Sequence, residues 1–148
     1  MSRIAGPAAP PIRDCASVGA APVDTGVWVA HLQRGNNELA GLLNRAQVLS
    51  HPFVLGELAL GSLQQRDTVL DALKNLPQAQ VASAGEVLGF ITTHALHGIG
   101  IGYVDAHLLA SARLTPGSTL WTLDKRLAAA ALRLGVAASM SGRRGRGC

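Results

Sequence analysis

Charged residues are scarce in this chain: they make up 15% of its 148 residues, against 48% for hydrophobic residues. Aromatic residues are scarcer still, at 3%. So apolar a composition excludes an intrinsically disordered chain, and the lack of aromatic rings means that a core must be built mainly from Leu, Val, Ile and Ala. The length suits one domain with one hydrophobic core.

Long hydrophobic runs and a cysteine framework are also missing. No run of about 18 apolar residues occurs, so we expect no segment that spans a membrane. Three prolines and Asp14 interrupt the first twenty residues, which argues against a signal peptide. The two cysteines, Cys15 and Cys148, sit near opposite ends and have no neighbour at metal-ligand spacing. They form no disulfide framework, which fits a reducing cytoplasm.

The two ends of the chain differ from its middle. Residues 1–19 are rich in Pro, Ala and Gly, and we expect a flexible extension there. Residues 137–148 carry three arginines among small residues and are expected to be a disordered basic tail. Because these arginines supply most of the formal net charge of +4, the body is nearly neutral and its charge identifies no partner. The predicted domain spans residues 20–136.

Short apolar runs alternate with longer helical patterns in that domain. The strand candidates are residues 20–24, 47–49, 80–82 and 119–123. The predicted helices are residues 25–33, 36–46 capped by Asn36, 50–63 capped by Ser50, 67–76, 83–97 capped by Ser83 with Glu86, 103–114 and 125–134. Strands alternating with helices indicate an α/β domain with a central parallel sheet of short strands flanked by helices.

Four of the nine acidic residues lack an ordinary structural role. Helix starts, a capping box and neighbouring bases explain the other five, which are Asp14, Glu38, Asp67, Asp71 and Glu86. Glu57 and Asp105 have apolar neighbours at helical spacing, so we expect both to project from apolar faces. Asp24 and Asp124 each follow a strand candidate. An isolated ionised carboxylate in an apolar setting costs several kcal/mol, so four of them suggest a shared compensating partner.

The expected positions of these four acids converge. Ligands of an open parallel sheet bind outside the carboxyl ends of the strands, where Asp24, Asp105 and Asp124 are expected, and Glu57 would lean over them. Clustered carboxylates favour a hard cation such as Mg²⁺ or Mn²⁺, which serves phosphoryl transfer by activating water.

Each acid also has an alternative role that the sequence leaves open. Asp24 and Asp124 are placed to cap the helices that follow them. Glu57 can pair with an Arg across the core, and Asp105 can stabilise a helix start.

Four segments resemble those of the PIN-domain ribonucleases, in particular the VapC toxins of bacterial toxin–antitoxin pairs. They are the segments that begin at Val23 (VDTGVW), Gly56 (GELALG), Tyr103 (YVDAHLLASA) and Thr122 (TLDKRL). The resemblance covers about residues 20–136, and the four motifs are specific as an ordered set.

The resemblance implies a PIN fold and endonucleolytic cleavage of RNA with Mg²⁺ or Mn²⁺. By position, Asp24, Glu57, Asp105 and Asp124 hold the metal and its water in such an enzyme. Thr122 and Thr25 then give polar support to these ligands. A homodimer and a VapB-type antitoxin that inserts a segment into the active-site groove are implied as well.

Two features depart from the family pattern. Gly26 stands where the family often has serine, and about twenty extra residues precede the first strand. Two other functions remain open: a catalytically silent RNA- or protein-binding PIN-like domain, and a haloacid-dehalogenase-like phosphatase. The phosphatase needs a second aspartate two residues after the first, where this chain has Gly26.

Two tryptophans flank acidic segments, Trp28 beside Asp24 and Trp121 beside Asp124. Core packing is the favoured role for both, ahead of stacking on an RNA base.

Overall fold

The computed structural model describes residues 20–138, so the expected extension at 1–19 and most of the expected tail lie outside the described residues. The described helices are α1 (Thr25–Arg34), α2 (Asn37–Asn44), α3 (Pro52–Leu60), α4 (Arg66–Lys74), α5 (Ala84–Thr93), α6 (Tyr103–Leu114) and α7 (Lys125–Arg133). The strands are β1 (Ala21–Pro22) and β2 (Val48–Leu49).

A small parallel sheet lies at the centre of the fold. β1 pairs with β2, with Ala21 opposite Val48. Isolated parallel bridges widen this pair to five neighbouring extended segments: Val23 bridges Trp121, Leu120 bridges Ala137, and Ser50 bridges Gln78. The α/β class with a central parallel sheet of short strands is therefore confirmed. Pairing with Leu120 also includes Ala137 and Ala138, which the sequence assigned to the tail.

Local capping signals decide where several helices begin and end. The Asn36 side chain accepts from the Leu39 N–H, and Ser83 with Glu86 forms the predicted capping box. Gly35 and Gly135 follow α1 and α7 with φ of 83° and 77°, a left-handed conformation that glycine adopts without strain. The predicted Asn36 cap and Ser83–Glu86 capping box are confirmed, because each depends on residues within one helical turn.

The predicted start of α3, the position of one extended segment and the ends of α3 and α5 are wrong. α3 is capped by His51, whose Nδ1 accepts from the Phe53 N–H at 3.0 Å, and not by Ser50. The Ser50 backbone is engaged in the sheet, where its N–H donates to the Pro77 carbonyl. The same pairing places the extended segment at Gln78 instead of 80–82. α3 and α5 also end earlier than predicted, at Leu60 and Thr93.

The hydrophobic core surrounds α6. Residues 106–112 of this helix are all buried, because the helix lies between the sheet and neighbouring helices. Trp28 and Trp121 are 4% and 2% exposed, so the core-packing role is confirmed for both tryptophans. This buried centre fixes the helix starts from which Asp24, Asp105 and Asp124 project, whereas Glu57 projects from within α3.

Candidate functional site

The structure brings all four candidate acids to one region. Asp24 follows β1 and begins α1, Asp124 begins α7, Asp105 lies in the first turn of α6, and Glu57 lies in α3. Asp105 experiences the charges of the other three carboxylates, and Asp24 experiences those of Glu57 and Asp124. We refer to these four residues as the acidic cluster.

Asp24 is the most firmly held member of the acidic cluster. Its Oδ1 accepts from the Thr25 N–H at 2.8 Å, and its Oδ2 accepts from the Thr122 hydroxyl at 2.7 Å. The Thr122 Oγ1 also accepts from the Asp124 N–H at 3.0 Å. One buried hydroxyl thus connects two acidic segments, and Asp24 both caps α1 and faces the cluster.

Glu57 differs from the sequence expectation. Its side chain is exposed, and the expectation that it projects from an apolar face is wrong. α3 packs through Val54 and Leu58, whereas Leu60, three residues beyond Glu57, is 89% exposed. The Thr25 hydroxyl donates to Glu57 Oε1 at 2.6 Å, which joins α1 to α3 beside Asp24.

Asp105 and Asp124 both serve as helix caps as well as cluster members. Asp105 is half-buried, and its Oδ2 accepts from the Gly102 N–H at 3.0 Å. Asp124 is exposed, and its Oδ1 accepts from the Arg126 and Leu127 N–H groups at 2.9 and 3.1 Å. Capping and membership of the cluster are therefore compatible roles for these two acids.

Burial and the charges of neighbouring acids oppose ionisation of Asp24 and Asp105. Burial raises the pKa of Asp24, the hydrogen bonds from Thr122 and Thr25 lower it, and the charges of Glu57 and Asp124 raise it again. Burial also raises the pKa of Asp105 against the Gly102 hydrogen bond. No Lys or Arg of residues 20–138 forms an ion pair with any of the four carboxylates. The cluster therefore carries negative charge that no side chain in the described part neutralises.

The donor set of the cluster suits a hard divalent cation, because all four side chains offer carboxylate oxygen. Three oxygens accept no hydrogen bond from the described residues: Glu57 Oε2, Asp105 Oδ1 and Asp124 Oδ2. However, within residues 20–138 no three His, Cys, Asp or Glu side chains are close enough together to hold one ion. Each carboxylate accepts a hydrogen bond from a described residue: Asp105 and Asp124 from their own helix starts, and Asp24 and Glu57 also from the hydroxyls of Thr122 and Thr25. Shared coordination of one ion therefore requires side-chain rotation.

A cavity of about 710 Å³ opens beside Thr25 and Glu57. It lies between α1, α3 and the segment that follows α3. Its walls combine apolar side chains, including Val29 and Leu32, with the amides of Gln33, Gln64 and Gln65. The acidic cluster is therefore bordered by a mixed apolar and amide groove rather than by a basic one.

Four rings from α3 and α6 meet near the starts of these helices. The Phe53 and His107 centroids are 4.3 Å apart, Tyr103 meets His107 edge-on at 4.7 Å, and His51 lies 6.4 Å from His107. Burial, with a smaller contribution from His107, lowers the pKa of His51 to about 4. This group of rings was not predicted from the sequence, although Tyr103 and His107 are four residues apart on one helix, a spacing at which side chains meet.

Comparison with known proteins gives a family match and two close relatives in sequence. Residues 22–132 match the family model described as "PIN domain". The chain is 50% identical over 115 residues to Ribonuclease VapC32 of Mycobacterium tuberculosis, in strain CDC 1551 / Oshkosh and in strain ATCC 25618 / H37Rv. Each alignment covers 78% of this chain and 93% of the relative. No solved structure gives a significant match. Among the described helices, none has the length and apolar character needed to cross a membrane.

Proposed function

The chain belongs to the PIN-domain family as a VapC-type member, and on that premise we propose that it is a divalent-metal-dependent endoribonuclease, the toxin of a toxin–antitoxin pair. The observation that carries this proposal is the convergence of Asp24, Glu57, Asp105 and Asp124 from four separate segments. Half of the aligned residues are shared with a protein named as a ribonuclease, which supports RNA as the substrate.

The four carboxylates are the proposed ligands of Mg²⁺ or Mn²⁺. When bound, such an ion activates water and stabilises charge on phosphate oxygens. The oxygens that accept no hydrogen bond, on Glu57, Asp105 and Asp124, are available to turn toward the ion. Thr122 keeps Asp24 in place through the bond to Oδ2, and Thr25 holds Glu57 through Oε1. These hydroxyls limit the rotation of their partners and so orient the proposed ligands.

RNA is the proposed substrate and a VapB-type antitoxin the proposed protein partner. We further propose that the chain forms a homodimer and acts in the cytoplasm, where RNA is found. Size-exclusion chromatography with light scattering tests the dimer, and a monomer at micromolar concentration contradicts it. Growth arrest on expression, relieved by co-expression of a VapB-type antitoxin, tests the partner; arrest that persists with the antitoxin present contradicts it.

A catalytically silent PIN-like domain is the second candidate. The observation that favours it is the absence, within residues 20–138, of three side chains already gathered at metal-binding distance. The presence of all four acids favours the enzyme. The two candidates predict different results with one RNA substrate, because only the enzyme cleaves it.

Cleavage of RNA in Mg²⁺, in Mn²⁺ and in EDTA tests the proposed function. We expect cleavage with either metal, none in EDTA, and a loss of at least roughly a hundredfold in Asp24→Ala and Asp105→Ala. Asp71→Ala is the matched control, because Asp71 is an exposed acid of α4 outside the cluster. Wild-type protein that cleaves nothing with either metal, or that cleaves equally in EDTA, rejects the proposal. Full activity in Asp105→Ala rejects the assignment of that ligand.

A further inference from the structure

Tyr103 is an exposed aromatic ring that is nevertheless held in place. Of the two Trp, two Phe and one Tyr residues in the chain, Tyr103 alone is exposed, at 47%. Its ring meets the buried His107 ring edge-on, with an interplanar angle of 88°. His107 in turn packs on Phe53, so the Tyr103 ring contacts a side chain that is itself held by packing. We call Phe53, Tyr103 and His107 the aromatic shelf.

Two members of the aromatic shelf lie close in the chain to members of the acidic cluster. Tyr103 and Asp105 lie in the same first turn of α6, and Phe53 precedes Glu57 by one turn of α3. Asp105 and Glu57 are close enough for their charges to interact. A chain whose backbone crosses the cluster therefore passes within reach of the shelf.

We propose that Tyr103 stacks on an unpaired nucleobase next to the phosphate that is cleaved. This inference rests on the proposed function and names a base-binding site within it. Protein recognition of single-stranded RNA depends on unstacked bases that lie on aromatic side chains. A ring already fixed by His107 loses little freedom when a base stacks on it, so the contact favours binding.

The other aromatic rings do not offer this surface. Trp28, Trp121 and Phe90 are at most 4% exposed and belong to the core. Phe53, within the shelf, is half-buried. The amide-lined cavity beside Thr25 contains no aromatic side chain. Tyr103 is therefore the ring from which a base can gain a stacking contact at this site.

Steady-state cleavage by wild type, Tyr103→Phe and Tyr103→Leu tests the proposal on a short unpaired RNA of mixed sequence whose cleavage position is mapped first. Stacking on an aromatic ring contributes about 1–3 kcal/mol per base, so we expect Tyr103→Leu to raise KM at least roughly fivefold with kcat little changed. Tyr103→Phe keeps the ring and should resemble wild type. Leu132→Ala, which removes an exposed apolar side chain from α7, is the matched control.

RNA with an abasic nucleotide at each position beside the cut separates stacking from a structural effect. We expect one abasic position to raise the KM of wild type by the same factor as Tyr103→Leu, and to have no further effect in that variant. If an abasic nucleotide raises KM in Tyr103→Leu as much as in wild type at every position tested, the proposal is overturned. A Tyr103→Leu variant with the wild-type KM overturns it as well. A Tyr103→Leu variant that cleaves normally but loses antitoxin binding overturns it in favour of a protein partner.

If Tyr103→Leu melts at a lower temperature than wild type, a loss of fold could explain its KM. A binding measurement on wild-type protein then tests stacking without any substitution. An RNA with 2-aminopurine at the same position should lose fluorescence on binding, and unchanged fluorescence contradicts stacking. Wild-type protein that cleaves no RNA rejects the proposed function and the base site with it. Normal cleavage with no role for Tyr103 rejects the base site alone.

Discussion

The Thr122 hydroxyl donates to Asp24 Oδ2 at 2.7 Å, although the two residues are 98 positions apart in the chain. The same Oγ1 accepts from the Asp124 N–H, so the hydroxyl is occupied on both sides. Thr122 is 8% exposed, and loss of such a buried contact leaves a carboxylate oxygen without its partner. This side chain fixes how the end of β1 meets the start of α7.

Replacement of this hydroxyl should reduce both activity and stability. We expect Thr122→Val to lower RNA cleavage by roughly 10- to 100-fold, the usual effect of removing a residue that orients a metal ligand. Its free energy of unfolding should fall by about 1–3 kcal/mol. Thr122→Ser keeps the donor and should retain most of the activity. Equal activity in the valine and serine variants contradicts the orienting role.

The raised pKa of Asp105 predicts a stability that depends on pH in the metal-free protein. Burial is the main cause, and the other three acids add to it. Because the folded state holds its proton to higher pH than the unfolded state, stability falls as pH rises from the unfolded value near 3.8 through the folded pKa. At neutral pH the ionised group therefore destabilises the fold.

Asp105→Asn should accordingly raise the melting temperature at pH 7 in EDTA. The amide oxygen can still accept from the Gly102 N–H, so the helix cap is retained. The gain should shrink as pH falls and vanish well below pH 3.8, where Asp105 is protonated in both states. Asp71→Asn, at an exposed site in α4, serves as control. A lower melting temperature at pH 7 would contradict the charge repulsion.

Signals that act within one helical turn could be predicted from the sequence. Asn36, and Ser83 with Glu86, bond to N–H groups three residues away, so their types and spacing are sufficient. His51 was missed as a cap because a histidine rarely has that role and Ser50 stood beside it. Ser50 does not cap α3 because its backbone pairs with the Gln78 segment in the sheet.

The features that could not be predicted from the sequence depend on tertiary packing. α3 is apolar on nearly every side, so hydrophobic neighbours could not show which face of the helix packs, and Glu57 proved to be exposed. The contact between Asp24 and Thr122 joins segments from opposite ends of the domain. Periodicity carries no information on such a contact. The strand-end argument placed Asp24 and Asp124 at one edge of the sheet, and only the likeness to a known family indicated a role for Thr122.

Divalent metal should stabilise the protein through the acidic cluster. With Mn²⁺ at a hundred times its dissociation constant, we expect a gain of about 2.7 kcal/mol in the free energy of unfolding. Protons compete for the same carboxylates, and the pKa values of Asp24 and Asp105 are raised, so the gain should be smaller at pH 5 than at pH 7.5. Thermal melts with and without Mn²⁺ measure it.

The same thermal melts test which residues bind the metal. Asp24→Asn and Asp105→Asn should lose most of the shift that Mn²⁺ produces, whereas Asp71→Asn should keep it. An equal shift in all four proteins would place the ion elsewhere. This readout does not require RNA cleavage, so it tests the ligands even in a catalytically silent domain.

Gly100 provides a test of the loop that leads into α6. Its φ is +88°, where side chains are strained, and a Cβ at this position would lie 2.6 Å from Nη1 of Arg126. We expect Gly100→Ala to lower the free energy of unfolding by about 1–3 kcal/mol, as measured by urea denaturation. The matched control is Gly89→Ala in α5, where a Cβ meets nothing within 4 Å and a helical alanine should stabilise by about 0.5–1 kcal/mol.

Substitution of Arg126 distinguishes two causes of the destabilisation expected in Gly100→Ala: backbone strain and a clash with the Arg126 side chain. The guanidinium is the flexible end of an exposed side chain and can move aside, whereas the backbone conformation of the loop cannot. Gly100→Ala should therefore cost nearly the same free energy in an Arg126→Ala background as in wild type. If Arg126→Ala abolishes the cost, the clash with the guanidinium dominates and the strain argument is wrong. Backbone strain instead predicts that the cost persists in the double variant, because φ at Gly100 is set by the path of the chain between α5 and α6.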